Sequence, residues 1–223
     1  MTTRPAVRLV LQVVGFLIVM LAGWGFDDAR GFFAHPARAG VVALATLGTT
    51  VALVWRLDLQ PFRPGNRPIG KQAWFLVGVV GGFLFLAWFL PHADRRGILI
   101  FPRTDWVRYL GLVLLAVGDG VGLVAFRTLG KQYSAYVTLQ QAHVLVTTGI
   151  YGVIRHPIYV RGLLLSVGLP LVFRSWLVVP LPPVVATVLA VRMRQEEELL
   201  AEQFGVAYAA YKRRSWRLVP YVY

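Results

Sequence analysis

Gly149-Ile150-Tyr151-Gly152-Val153-Ile154-Arg155-His156-Pro157-Ile158-Tyr159 is the densest cluster of polar and aromatic groups in an otherwise apolar chain, and it lies between two hydrophobic segments. Proline fixes φ and is at home in the first turn of a helix, so Arg155-His156-Pro157 reads as a turn from which a helix restarts. A cation, an imidazole and two tyrosines are thereby gathered at the edge of an apolar segment. That suits the holding of a polar ligand, and the fold follows from what the flanking segments are.

Composition decides that question. Of 223 residues, 57% are hydrophobic and 15% charged, against roughly 25% charged in soluble domains, and the mean hydropathy is +0.62. The chain therefore reads as all-α and membrane-embedded. Its net charge of +13 is spread over the loops between apolar runs, which points to anionic lipid headgroups as partners and away from nucleic acid. The absence of cysteine excludes disulfides, thiolate metal sites and a cysteine nucleophile. The histidines, His35, His92, His143 and His156, show no helical metal-ligand spacing, so no metal is expected.

Outward from the central stretch, the apolar runs can be counted. Leu9 to Phe26, Ala39 to Trp55 and Gln72 to Leu90 carry no charge, and Tyr109 to Phe126 carries only Asp119. Each is near the ~20 residues that cross a bilayer. Ile158 to Phe173 and Ser175 to Val191 follow with little between them, so they read as a tight helical hairpin bent by Pro170, Pro180, Pro182 and Pro183. The expectation is a polytopic bundle of five to six spans, with residues 1–124 as scaffold and 125–223 as a core facing the cytoplasm.

Loop charge orients the bundle. Arg56 to Lys71 holds four cations and one acid, Arg127 to Arg155 three cations and none, and Asp27 to Arg38 two of each. By the positive-inside rule the first two loops, and with them both termini, are cytoplasmic. The +2 loop from His92 to Arg108 fits this less well. The polar-aromatic segment up to Val146 is too polar to span and is expected along the membrane surface. Beyond the hairpin, Met193, Glu197, Leu200, Phe204, Tyr208 and Tyr211 recur at intervals of three and four, which places them on one helical face. Arg192 and Glu196 stand one turn apart on an adjoining face. Tyr208, Tyr211, Tyr221 and Tyr223 read as interfacial belt residues.

Two blocks together carry a family resemblance. The run from His143-Val144-Leu145-Val146 through Gly149-x-Tyr151 to Arg155-His156-Pro157-x-Tyr159 resembles the cofactor motif of the isoprenylcysteine carboxyl methyltransferase and phospholipid methyltransferase superfamily of integral-membrane enzymes. Arg192-x-x-x-Glu196-Glu197, followed by Leu200, Phe204-Gly205, Tyr208 and Tyr211, is similar to its C-terminal signature. Two motifs in order are more specific than either alone. The resemblance covers about the last hundred residues. It departs from the pattern at Ile150, where the family often has proline.

The resemblance implies S-adenosyl-L-methionine as cofactor and a lipophilic small molecule or lipid as methyl acceptor. It implies that His143, Val144, Leu145, Val146, Tyr151, His156, Pro157, Ile158, Tyr159 and Glu196 contact the cofactor, with Glu197 beside them, and that Arg192 meets an acceptor carboxylate. From chemistry alone, Glu196 suits the cofactor's amine, the His156 ring and the helix start suit its carboxylate, and Tyr151 and Tyr159 suit adenine or the sulfonium. Arg155, like Arg192, could pair bidentately with a carboxylate acceptor. An amine or thiol acceptor would lose its proton to His156 or Glu197. Two other readings stay open: a membrane reductase of the sterol-reductase type using NADPH, and a transporter in which Asp119 marks the path.

Overall fold

The computed structural model describes residues 5–55, 57, 71–102, 105–130 and 144–222. His143, the loop across residues 58–70 and most of the segment expected on the membrane surface lie outside the described residues. The described residues form α1 (Pro5–Trp24), α2 (Ala29–Ala34), α3 (Pro36–Val54), α4 (Lys71–Arg96), α5 (Asp105–Leu129), α6 (Pro157–Val172) and α7 (Leu181–Arg213). The fold is all-α, with two isolated β-bridges among the described residues.

α3, α4 from Val77, α5 and the segment Trp176–Arg213 are each long and apolar enough to cross a membrane. α1 and the segment Phe26–Ala34, bent by 97° between them, make a fifth candidate, and α6 is a shorter apolar helix of 16 residues. The ends of the helices sort into two layers. At one, the Arg127 guanidinium of α5 lies 4.5 Å from the Trp55 ring that ends α3, and this is the end where α6 begins. At the other, Asp94 of α4 joins Arg108 of α5 (2.7 Å), Arg38 of α3 (3.0 Å) and Arg174 from the link after α6 (3.1 Å). Arg38 and Arg108 also donate to the carbonyls of Phe32 and Val172. Buried carboxylates persist only when paired, and this one ties four elements together.

The tightest packing is between α5 and α6. Gly111, Leu115, Gly118, Gly122 and Ala125 make one buried stripe on α5. A β-carbon at Gly111 would lie 2.6 Å from the Gly168 carbonyl oxygen and 2.7 Å from the Val172 nitrogen, so the two backbones meet where only glycine fits. Further along, the Arg161 stem fills the space beside Gly122, and its guanidinium meets Asp119 at 2.9 Å. The lone carboxylate of the fourth span is thus half of an ion pair.

The terminal hairpin differs from the expectation in its link. α6 ends at Val172, a 3₁₀ turn spans Trp176–Val178, and α7 begins only at Leu181. The cause is local: Ser175 caps the short turn through Leu177 N–H (3.3 Å), and Pro182 and Pro183 fall in the first turn of α7, where no N–H is needed. α7 then continues past the apolar stretch to Arg213, broken at Gly205 (φ 47°, ψ −116°), a conformation closed to other residues. The backbone breaks there, yet Met193, Glu197, Leu200, Phe204, Tyr208 and Tyr211, expected on one face, are all buried or half-buried across the break.

Candidate active site

The site is assembled where α6 begins and the polar part of α7 passes it. His156 occupies the N-cap of α6, Pro157 its first position, and Tyr159 the next half-turn. The His156 ring, 5% exposed, stacks on Tyr159 with centroids 5.3 Å apart and planes 12° off parallel. Arg192 and Glu196, one turn apart on α7, are bridged by the Tyr159 hydroxyl: Arg192 Nε donates to it (3.0 Å) and it donates to Glu196 Oε2 (2.8 Å). Glu196 Oε2 also lies 3.7 Å from His156 Nδ1, and its side chain is 37% exposed. An accessible carboxylate is thus held beside an imidazole, a phenol and a guanidinium.

Glu197, the next residue, has the opposite surroundings. It is 4% exposed and accepts from His156 Nε2 (3.2 Å), Arg155 Nε (3.3 Å) and both Nε (3.0 Å) and Nη2 (2.7 Å) of Arg217, with Lys212 Nζ at 3.5 Å. It lies beyond the uncharged stretch that ends at Val191. Burial pushes its carboxyl up, but the hydrogen bonds from His156 and Arg217 outweigh that and hold it well below the ordinary carboxylate range. With its oxygens taken by protein donors, Glu197 positions its neighbours.

Arg155 is likewise engaged within the chain. Its guanidinium donates to the Ser215 and Lys212 carbonyls and the Ser215 hydroxyl as well as to Glu197. It therefore ties the loop before α6 to the segment after α7. The backbones agree, since Ile154 and Trp216 form a parallel bridge, with Arg155 N–H to Trp216 O at 2.7 Å and His156 N–H to Arg217 O at 3.2 Å. Arg155 and Arg192, paired in the sequence reading, face different partners.

Tyr151 is buried in the 3₁₀ turn Gly149–Gly152, and its carbonyl accepts from the Tyr211 hydroxyl at 2.7 Å. Val144 is exposed, Leu145 and Val146 half-buried, on the irregular approach to that turn. Ile158 is half-buried beside Pro157. Tyr208 and Tyr211 correct the belt reading: they are 2% and 4% exposed, on the face of α7 that also buries Met193 and Glu197. Among the described residues the Tyr208 hydroxyl has no hydrogen-bond partner. Tyr221 does stand exposed.

With this geometry, two comparisons bear on what the chain is. Residues 106–207 match the family model "Phospholipid methyltransferase". Protein-S-isoprenylcysteine O-methyltransferase A of Arabidopsis thaliana is 32% identical over 131 residues, which is 56% of this chain and 66% of the relative. Over this region the chain is similar to the isoprenylcysteine carboxyl and phospholipid methyltransferase superfamily. Within that superfamily, the protein-S-isoprenylcysteine O-methyltransferase of Rattus norvegicus is 28% identical over 130 residues, 54% of this chain and 43% of the relative. The match thus spans just under two thirds of the Arabidopsis relative and less than half of the rat one. The solved structure of a eukaryotic intramembrane Ras methyltransferase, an isoprenylcysteine carboxyl methyltransferase, has a similar fold, at a TM-score of 0.58 and 19% identity, covering 93% of this chain and 74% of that one.

The sequence reading passed over Arg217 and Arg161. Arg217 stands in a short, mostly apolar tail with no motif to mark it. Arg161 could have been found, because a carboxylate at membrane depth needs a partner and Arg161 is the charge inside the run from Ile158 to Phe173.

Proposed function

We propose that this chain is an integral-membrane methyltransferase that uses S-adenosyl-L-methionine and transfers the methyl group to a lipophilic acceptor at the end of the bundle where α6 begins. The observation that carries the reading is the Arg192, Tyr159 and Glu196 chain beside His156. It offers an exposed acid for an amine, aromatic walls, and a guanidinium one turn along α7. The donor set fits the cofactor on that ground. The matching family model and the names of the relatives support the same class.

When bound, S-adenosyl-L-methionine supplies an electrophilic methyl group on a sulfonium. The residues of this chain supply alignment and exclusion of water, which is most of what an in-line displacement requires. Glu196 would bind the cofactor's amine, Tyr151 and Tyr159 would wall its apolar parts, and Val144 to Val146 would edge the pocket. His143 is proposed for the same edge. Arg192 would orient an acceptor carboxylate; an anionic acceptor of the prenylcysteine type needs no base. Arg155 and Glu197 are assigned to holding the site together. The positive loops and this end of the bundle would face the cytoplasm, with residues 1–124 as scaffold and 125–223 carrying the chemistry.

Radiolabelled S-adenosyl-L-methionine added to proteoliposomes containing either a prenylated cysteine or phosphatidylethanolamine tests the reading. Label extracted with one lipid, and lost in Glu196→Gln, is expected. Folded protein that labels neither, and that binds NADPH, would return the chain to the reductase reading.

A further inference from the structure

From Gln203 to Tyr223 the chain carries four cations, Lys212, Arg213, Arg214 and Arg217, and no acid. The structure divides them. Lys212 stands 3.5 Å from Glu197, and Arg217 donates to both Glu197 oxygens. Ser215, buried between them in sequence, accepts from Arg155 through its carbonyl and hydroxyl. Arg213 and Arg214 are exposed and meet no carboxylate among the described residues. We infer that the exposed part of this segment is a docking surface for anionic lipid headgroups of the leaflet beside the start of α6, and that docking steadies the site the segment helps to hold. The sequence reading places the lipid-facing charge in loops between spans, whereas this segment lies beyond the last of them.

Depth is the first argument. Trp216 N–H donates to the Val153 carbonyl at 2.8 Å, and Arg155 N–H to the Trp216 carbonyl at 2.7 Å, so Trp216 is pinned just ahead of the apolar helix α6. Where an apolar helix ends, the bilayer interface begins, and tryptophan, tyrosine and arginine are the residues that favour it. The exposed groups match. Trp216 is 38% exposed, Val219 49%, Tyr221 88% and Val222 77%, and the Trp216 and Tyr221 rings lie 5.4 Å apart. A soluble acidic partner would satisfy the two guanidinium groups alone. A bilayer surface takes the apolar groups as well, and its phosphates suit guanidinium pairing.

The coupling rests on the cofactor reading. One short segment faces lipid and also supplies Arg217 to Glu197 and its backbone to Arg155 and His156. Chain ends fray unless tied down, and a site competent only when the segment is in place binds more weakly by the fraction of time it is not. Anionic lipid would thus raise ligand affinity without touching the ligand.

The test uses the full chain in nanodiscs of phosphatidylcholine with or without phosphatidylglycerol. The chain has no cysteine, so Val219→Cys takes a single nitroxide label, and its collisions with oxygen and with a water-soluble nickel chelate report its depth. With phosphatidylglycerol the label is expected at the interface. The Arg213→Gln, Arg214→Gln double variant should lower the ratio of docked to free label about thirtyfold, two cations at about 1 kcal/mol each, and the corresponding lysine pair should keep it. A label in water in both membranes, or at the same depth in both, would overturn the anionic docking surface; the comparison of membranes needs no variant. S-adenosylhomocysteine affinity is expected to rise severalfold with phosphatidylglycerol in the unmutated protein and not in the glutamine variant. Docking with no such rise would overturn the coupling. Docking with no S-adenosylhomocysteine binding in either membrane would overturn the cofactor reading and leave the docking surface standing.

Discussion

Glu196 and Glu197 are adjacent in sequence and opposite in surroundings, so the same change at each should separate ligand binding from stability. Glu197→Gln removes the charge that Arg155, Arg217 and Lys212 share. Removing one partner of a buried ion pair costs about 3–5 kcal/mol. Glutamine keeps one acceptor oxygen, so the lower end, about 3 kcal/mol, applies. At about 2–4 °C per kcal/mol for a chain of this size, the thermal midpoint should drop by about 6–12 °C. Glu196→Gln leaves a side chain that is 37% exposed and its bond from Tyr159, so its cost should stay below about 1 kcal/mol. The assay is size-exclusion chromatography of detergent-purified protein after graded heating, all variants at one heating rate. Equal midpoints for the two variants, or a larger drop for Glu196→Gln, would refute the division of roles.

Other perturbations test other parts of the structure. Gly111→Ala places a methyl group against the α6 backbone and should cost about 1–3 kcal/mol, read as a lowered thermal midpoint, whereas Gly48→Ala meets nothing within 4 Å and should leave the midpoint in place. Asp94→Ala leaves three guanidinium groups facing one another at the opposite end; a loss of about 3–5 kcal/mol is expected, and little folded protein should survive purification. Tyr208→Phe removes a buried hydroxyl with no partner among the described residues, so the ligand-free protein should hold or gain up to about 1 kcal/mol; a clear loss of midpoint would mean the hydroxyl is bonded. Asp119→Asn weakens a half-exposed pair with Arg161 and should cost about 1 kcal/mol or less while cofactor affinity stays constant; loss of an ion-coupled uptake activity in that variant would restore the transport reading.

The fold was legible because its dominant constraint is local. Uncharged runs near 20 residues long name the spans, and Pro157 after His156 names the start of α6 at the residue where it begins. The pair Arg192 and Glu196 was legible as one turn of helix, yet its joining through Tyr159, 33 and 37 residues away, was not. Glu197 shows the limit most clearly. Its spacing put it in the site, but its role depends on Arg217 arriving from beyond a kink, and helical periodicity carries straight through Gly205 where the backbone does not. Tyr208 and Tyr211 continue the face that buries Met193 and Glu197 and so lie in the interior and not in the expected belt. Arg155 looked like a ligand-binding cation because it neighbours His156; only the bridge from Ile154 to Trp216 reveals that its partners are carbonyls of the tail.

The central claim is that the start of α6 and the polar part of α7 make an S-adenosyl-L-methionine site with Glu196 as its acid. Calorimetric titration of the detergent-purified protein with S-adenosylhomocysteine, alongside Glu196→Gln, tests it most directly. The account predicts binding in the micromolar range, about −8 kcal/mol, weakened at least tenfold in a variant whose thermal midpoint falls by less than about 4 °C. No heat of binding from folded protein, or equal affinity in the two, would contradict it.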